Sequence, residues 1–160
     1  MRVRLRLSTV ENVACVLLLT AMSVVVFLQV LFRYVLNSPL VWGEEVSTLL
    51  FAWSTFLGSA VAVRQSSHIS IDALVTYLPG SVRRSLQSVV DVIVIVLLLI
   101  FVKSGIELTL EARTIVTSTL GISQSYVYAA GPVGGVLMLY HYAMKLVGGV
   151  RQALPVKGSS

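Results

Sequence analysis

The sequence predicts an all-α fold: an integral membrane bundle of four helices, both termini in the cytoplasm, with a short interfacial helix between the second and third. Three observations carry this. Hydrophobic residues are 56% of the 160 and charged residues only 12%, whereas a soluble domain averages about 45–50% apolar and about 25% charged. Long uncharged runs recur along the chain, and most charges gather at their ends. In lipid a backbone must satisfy its own hydrogen bonds, and a helix does so within one segment.

Helix 1 is predicted over residues 12–34. Its apolar run, 13–32, follows Arg2, Arg4 and Arg6. A basic segment before an apolar one can be a secretory signal, but this run is too long for an h-region and no small-x-small site closes it. It therefore reads as an uncleaved span ending at Arg33 and Tyr34. Asn37-Ser38-Pro39 breaks it, because Pro lacks an N–H and disfavours the α conformation in the residue before it. The short link that follows makes helices 1 and 2 a hairpin.

Helix 2 is predicted over 42–64. Residues 46–63 are uncharged, between Trp42-Gly43-Glu44-Glu45 and Arg64. A span needs about 20 residues, so the Trp–Glu mouth belongs to the helix and sits at headgroup depth, which suits Trp. Ser54, Gly58 and Ala62 recur every four residues and give one face of small side chains. Such faces let backbones approach closely in lipid. Ordinary small-residue usage in membrane helices produces the same spacing.

The next segment is the most polar internal part and contains His68 and Asp72. Ile71, Leu74, Val75 and Leu78 fall on one helical face. Ser70 as N-cap and Pro79-Gly80 as stop predict a short helix over 70–79. It is too short to span, so it is expected in the headgroup plane, flanked by Arg64, Arg83 and Arg84. A turn packed on the helix ends is the alternative.

Helix 3 is predicted over 85–104, extending toward 113. Its β-branched content lacks the alternation of a strand. Lys103, Glu107 and Glu111 are spaced i,i+4 along the extension, and an interruption or bend is expected near Gly105. The polar stretch 114–122 reads as a loop or re-entrant turn. Helix 4 is predicted over 123–146, kinked at Pro132 and carrying Gly131 and Gly135 as a G-x-x-x-G, a common motif of close helix contact. The tail, 147–160, is polar and expected to fray.

The basic residues sort by side. Arg2, Arg4, Arg6, Arg64, Arg83, Arg84, Lys145, Arg151 and Lys157 fall on one side, and only Arg33, Lys103 and Arg113 on the other. The positive-inside rule then places both termini in the cytoplasm and Glu44, Glu45, Glu107 and Glu111 outside. The net charge of +5 reads as this orientation. There is no long basic run or aromatic-interleaved patch, so no nucleic-acid partner is expected.

No chemistry of an enzyme is legible. Cys15 is the single cysteine, which excludes an intramolecular disulfide and a Cys-based metal cluster. His68 in a loop and His141 near the inner end of helix 4 are a poor pair for haem. No nucleophile stands with a base and an orienting group, and no cofactor is expected. Arg33, Glu44 and Glu45 sit at helix ends and are expected to pair across the 1–2 hairpin, with partner contact or ion binding as alternatives. Asp91 lies two turns inside helix 3. It is expected to serve helix packing, satisfied by Arg84, by serines or by a neighbouring subunit.

The runs F-R-Y-V-L-N-S-P-L-V-W-G-E-E at 32–45 and F-A-W-S-T-F-L-G-S-A-V-A-V-R at 51–64, with H-I-S-I-D at 68–72 and Leu78-Pro79, resemble the DctQ-like small membrane subunit of tripartite ATP-independent periplasmic (TRAP) transporters. The resemblance covers nearly the whole chain. Gly43 within W-x-E-E and Ser66-Ser67 before His68 depart from the pattern. The resemblance implies an inner-membrane subunit with two protein partners besides lipid. A large TRAP permease subunit would carry substrate and coupling sodium by an elevator movement. A soluble periplasmic substrate-binding protein would capture and deliver an organic anion. The small subunit would be a static brace. Arg33, Trp42, Glu44, Glu45, Arg64, His68, Asp72 and Asp91 would then be position-setting or partner-contact residues, and Gly58, Gly131 and Gly135 points of close contact. The rival readings are a homodimeric multidrug exporter, which needs a carboxylate in mid-helix 1 where Glu11 is only at the edge, a haem-bearing anchor, and a self-assembling structural protein.

Overall fold

The computed structural model describes residues 2–65 and 80–153, with side chains at 9–65 and 89–146. The four long helices are α1 (Arg2–Tyr34), α2 (Gly43–Gln65), α3 (Gly80–Glu111) and α5 (Ala130–Ala153). A 3-10 turn (Ala112–Thr114) and a short helix, α4 (Ser125–Tyr128), lie between α3 and α5. Three stretches, Thr9–Tyr34, Gly43–Gln65 and Val89–Thr114, are long and apolar enough to cross a membrane. The expected interfacial helix over 70–79, His68, Asp72, Ser66-Ser67 and the end of the tail lie outside the described residues.

Helix α1 is apolar around its whole circumference, which suits lipid rather than a water-facing surface. Two hydroxyls within its apolar run are satisfied locally: Thr20 and Ser23 donate to the carbonyls of Val16 and Leu19, each at 2.8 Å. The helix ends where Asn37 takes φ 48°, a left-handed conformation that Asn tolerates better than most residues. There the Ser38 amide reaches back to the Phe32 carbonyl at 3.0 Å.

The helices pack in an open series. Helix α1 lies along α2, α2 along α5, and α5 along α3, while α1 and α3 make no substantial contact among the described residues. Glycines on α5 set its two seams. A β-carbon on Gly134 would stand 2.6 Å from Phe56 Cβ, and one on Gly135 would stand 2.8 Å from Val102 Cγ2. Backbone approach this close is what small residues supply where lipid removes the hydrophobic drive between helices.

Of the interruption or bend expected near Gly105, the interruption does not occur: helix α3 runs through that residue. Gly105 instead receives the ring of Pro132: a β-carbon there would stand 3.1 Å from Pro132 Cδ. The helix expected over 123–146 with a kink at Pro132 is divided three residues earlier, at Ala129, into α4 and α5. Pro132 has no N–H to offer the carbonyl of Tyr128, so the helical ladder loses a bond one turn before it.

Between the 3-10 turn and α4 the chain makes a tight hairpin. Thr117 N–H donates to Ile122 O and Gln124 N–H to Ile115 O, both at 2.8 Å. Val116 and Ser123 form an isolated bridge. Gly121 turns the corner at φ 64°, a value that costs glycine little.

Candidate functional site

Polar side chains collect at the two ends of the helix series, with one further pair along the α3–α5 seam. At the first end, Glu11 of α1 is only 6% exposed. Its two carboxylate oxygens are held from two other helices. Arg64 of α2 donates from Nη1 to Oε2 at 2.6 Å, and His141 of α5 bonds Oε1 through Nε2 at 2.8 Å. Arg64 Nη2 also donates to Asn12 Oδ1 at 2.7 Å. A carboxylate only accepts, so His141 carries its hydrogen on Nε2. Buried charges persist when they are paired with this geometry.

At the opposite end, Gln29 of α1 donates from Nε2 to the Gly43 carbonyl at 2.8 Å and to Ser47 Oγ at 2.6 Å. Ser47 Oγ in turn donates to the Gly43 carbonyl. Gly43 gives Gln29 its room here: a β-carbon would stand 2.6 Å from Gln29 Cγ, and the glutamine side chain would have to move. The departure within W-x-E-E therefore has a local reason. Two residues on, Glu45 accepts the Thr119 amide at 2.8 Å and the Leu120 amide at 2.9 Å. The hairpin tip is thus tied to the mouth of α2. Trp53 Nε1 adds a bond to the Tyr126 carbonyl at 3.0 Å.

The expected pairing of Arg33 with Glu44 or Glu45 does not occur among the described residues. Glu45 is engaged with backbone amides, Glu44 is exposed, and the Arg33 guanidinium stands 5.9 Å from the ring of Tyr34. Trp42 is 41% exposed at the start of α2. Asp91 accepts the hydroxyl of Tyr142 of α5 at Oδ1, 2.6 Å away, a partner not expected for it; the side chain of Arg84 lies outside the described residues. A β-carbon on Gly131 would be in ordinary contact, 3.8 Å from the rings of Phe56 and Phe101, and one on Gly135 would press on α3. Gly58 has nothing within 4 Å of its absent side chain. On its helix Ser54 and Ala60 are the buried small residues.

Sequence reasoning misses Glu11, His141, Gln29, Tyr142 and Gly134. It weighs Glu11 only as an exporter's carboxylate and His141 only as a haem ligand. The available signal is the side assignment, which already groups Glu11, Arg64 and His141 at one end.

The residues at both ends fall in or beside the stretch matched by the family described as tripartite ATP-independent periplasmic transporters, DctQ component, whose model matches residues 22–152. The chain belongs to the DctQ family. This DctQ-family chain is 30% identical over 154 residues to the sialic acid TRAP transporter small permease protein SiaQ of Vibrio cholerae serotype O1, covering 96% of this chain and 89% of that one. It is 36% identical over 114 residues to the sialic acid TRAP transporter permease protein SiaT of Haemophilus influenzae, covering 71% of this chain but only 18% of that protein. The C4-dicarboxylate TRAP transporter small permease protein DctQ of Vibrio cholerae is 28% identical over 76 residues, 48% of this chain and 33% of its own. These relatives are transporter subunits and not enzymes. With three helices able to cross a membrane, the DctQ-family chain is a multi-pass inner-membrane protein with a role in transport.

Proposed function

We propose that this DctQ-family chain is the small subunit of a TRAP transporter and scaffolds a large elevator-type permease subunit. That subunit takes up organic anions such as carboxylates, coupled to sodium, after a periplasmic binding protein delivers them. Both termini face the cytoplasm in this reading. Exposed Arg33, Trp42 and Glu44, together with His68 and Asp72, are partner-contact residues.

One observation carries the reading. Among the described residues, Glu11, Arg64, His141 and Asp91 lie between helices and each bonds another residue of the same chain. Meanwhile α1 and α3 leave large apolar side chains such as Leu17, Phe27, Leu97 and Ile100 more than half exposed. Charges that are already paired suit a support better than a solute path. Uncovered apolar helix faces suit lipid and a membrane partner. The match to an 18% segment of a much longer permease protein supports the same division of labour, with a support segment and a larger remainder.

The test is co-purification in mild detergent with a co-expressed large TRAP permease subunit. A stable complex that is active with the binding protein in liposomes is expected, with neither membrane subunit transporting alone. Recovery of this chain only as a homodimer that extrudes cations overturns the proposal.

A further inference from the structure

We infer that Glu11 is the positioning residue that fixes α1 relative to α5, acting as a diagonal tie across α2. The inference deepens the bracing role proposed above and rests on it for its use, but not for its geometry. Helix α1 has its extended contact with α2 alone. Within its apolar run, 13–32, no residue is fully buried, and its packing partner is α2, so packing does not fix its inclination to α5. Its polar bonds must do so instead. Gln29 ties α1 to α2 only. Glu11 reaches past α2, taking Arg64 with one oxygen and the nearly buried His141 with the other. In a low-dielectric setting such a bond is directional and costly to leave unmade. One carboxylate therefore sets the inclination of α1 against the α2–α5 pair, at the end opposite the Glu45-held loop.

The test is a distance measurement on the full chain in lipid nanodiscs, in a Cys15→Ser background. Spin labels at Leu17 and Val136, which are 63% and 51% exposed, report α1 against α5. Labels at Phe51 and Val136 report α2 against α5. The native chain gives one narrow distance for each pair. Glu11→Ala is expected to shift and broaden the first while leaving the second narrow. His141→Phe is expected to do the same, and it keeps the Glu11–Arg64 ion pair intact if Glu11→Ala cannot be recovered folded. His141→Gln, which retains a donor, restores the narrow peak. An unchanged α1–α5 distance in His141→Phe overturns the inference. So does equal broadening of both pairs, which would mean general loosening, or a broad α1–α5 distance in His141→Gln, which would assign the effect to ring packing. The readout needs no partner, so a failed co-purification and a failed tie are separate results.

Discussion

Gly134 lies against the backbone of Phe56, with the carbonyl oxygen of Phe56 3.0 Å from where a β-carbon would be. Nothing flexible can move aside there, because the obstacle includes main chain. Gly134→Ala is expected to force α2 and α5 apart and to cost about 1–3 kcal/mol, the usual range for overpacking. Gly131→Ala meets only ordinary contacts at 3.8 Å, and Gly58→Ala meets nothing within 4 Å. Thermal denaturation in detergent should rank Gly134→Ala well below the other two. Equal melting of all three would show that the α2–α5 seam is looser than these distances imply.

The two adjacent glutamates should behave differently. Glu45 accepts two amides from the hairpin tip, while Glu44 is exposed. Glu45→Gln is expected to raise hydrogen exchange at Thr119 and Leu120 and to expose residues 115–124 to proteolysis. Glu44→Gln should leave both unchanged. If Glu45→Gln leaves exchange at those amides as slow as in the native chain, the tie to the hairpin is dispensable.

The bond between Tyr142 and Asp91 joins α3 to α5. Tyr142→Phe should cost roughly 1–3 kcal/mol, because it strands a half-buried carboxylate. Adding Asp91→Asn to Tyr142→Phe should recover part of the loss, since an amide is less costly to leave unpaired. A double-mutant cycle on melting behaviour measures the coupling, and strictly additive losses would deny it.

The side assignment is open to a direct check. A cysteine placed at Ser118, in a Cys15→Ser background, should react with an impermeant maleimide on whole spheroplasts. A cysteine near the C-terminus should react only after the membrane is opened. The reverse pattern would invert the chain in the membrane.

Much of the architecture was legible in the residues. The apolar runs mark the spans because lipid leaves a helix few alternatives, and Asn37-Ser38-Pro39 marks the first turn by chemistry alone. Proline at 132 marks a broken helix. It does not say that Gly105 takes the ring, because that depends on how α3 and α5 are rotated. The same limit hides the Glu11–Arg64–His141 group, since charges at helix ends read equally well as headgroup contacts. It also explains Gly58: a repeat of small residues defines a face but not the neighbour that the face meets. The Arg33–Glu45 pairing fails for another reason. Opposite charges at neighbouring ends suggest attraction, and no periodicity announces that a hairpin formed much later in the chain will offer its amides to Glu45 first.

Among the described residues, helix α1 does not close onto α3. A closed bundle shares one core among its rods, whereas an open string leaves its two outermost rods half-clad. Lipid tails or a neighbouring polypeptide must finish covering them.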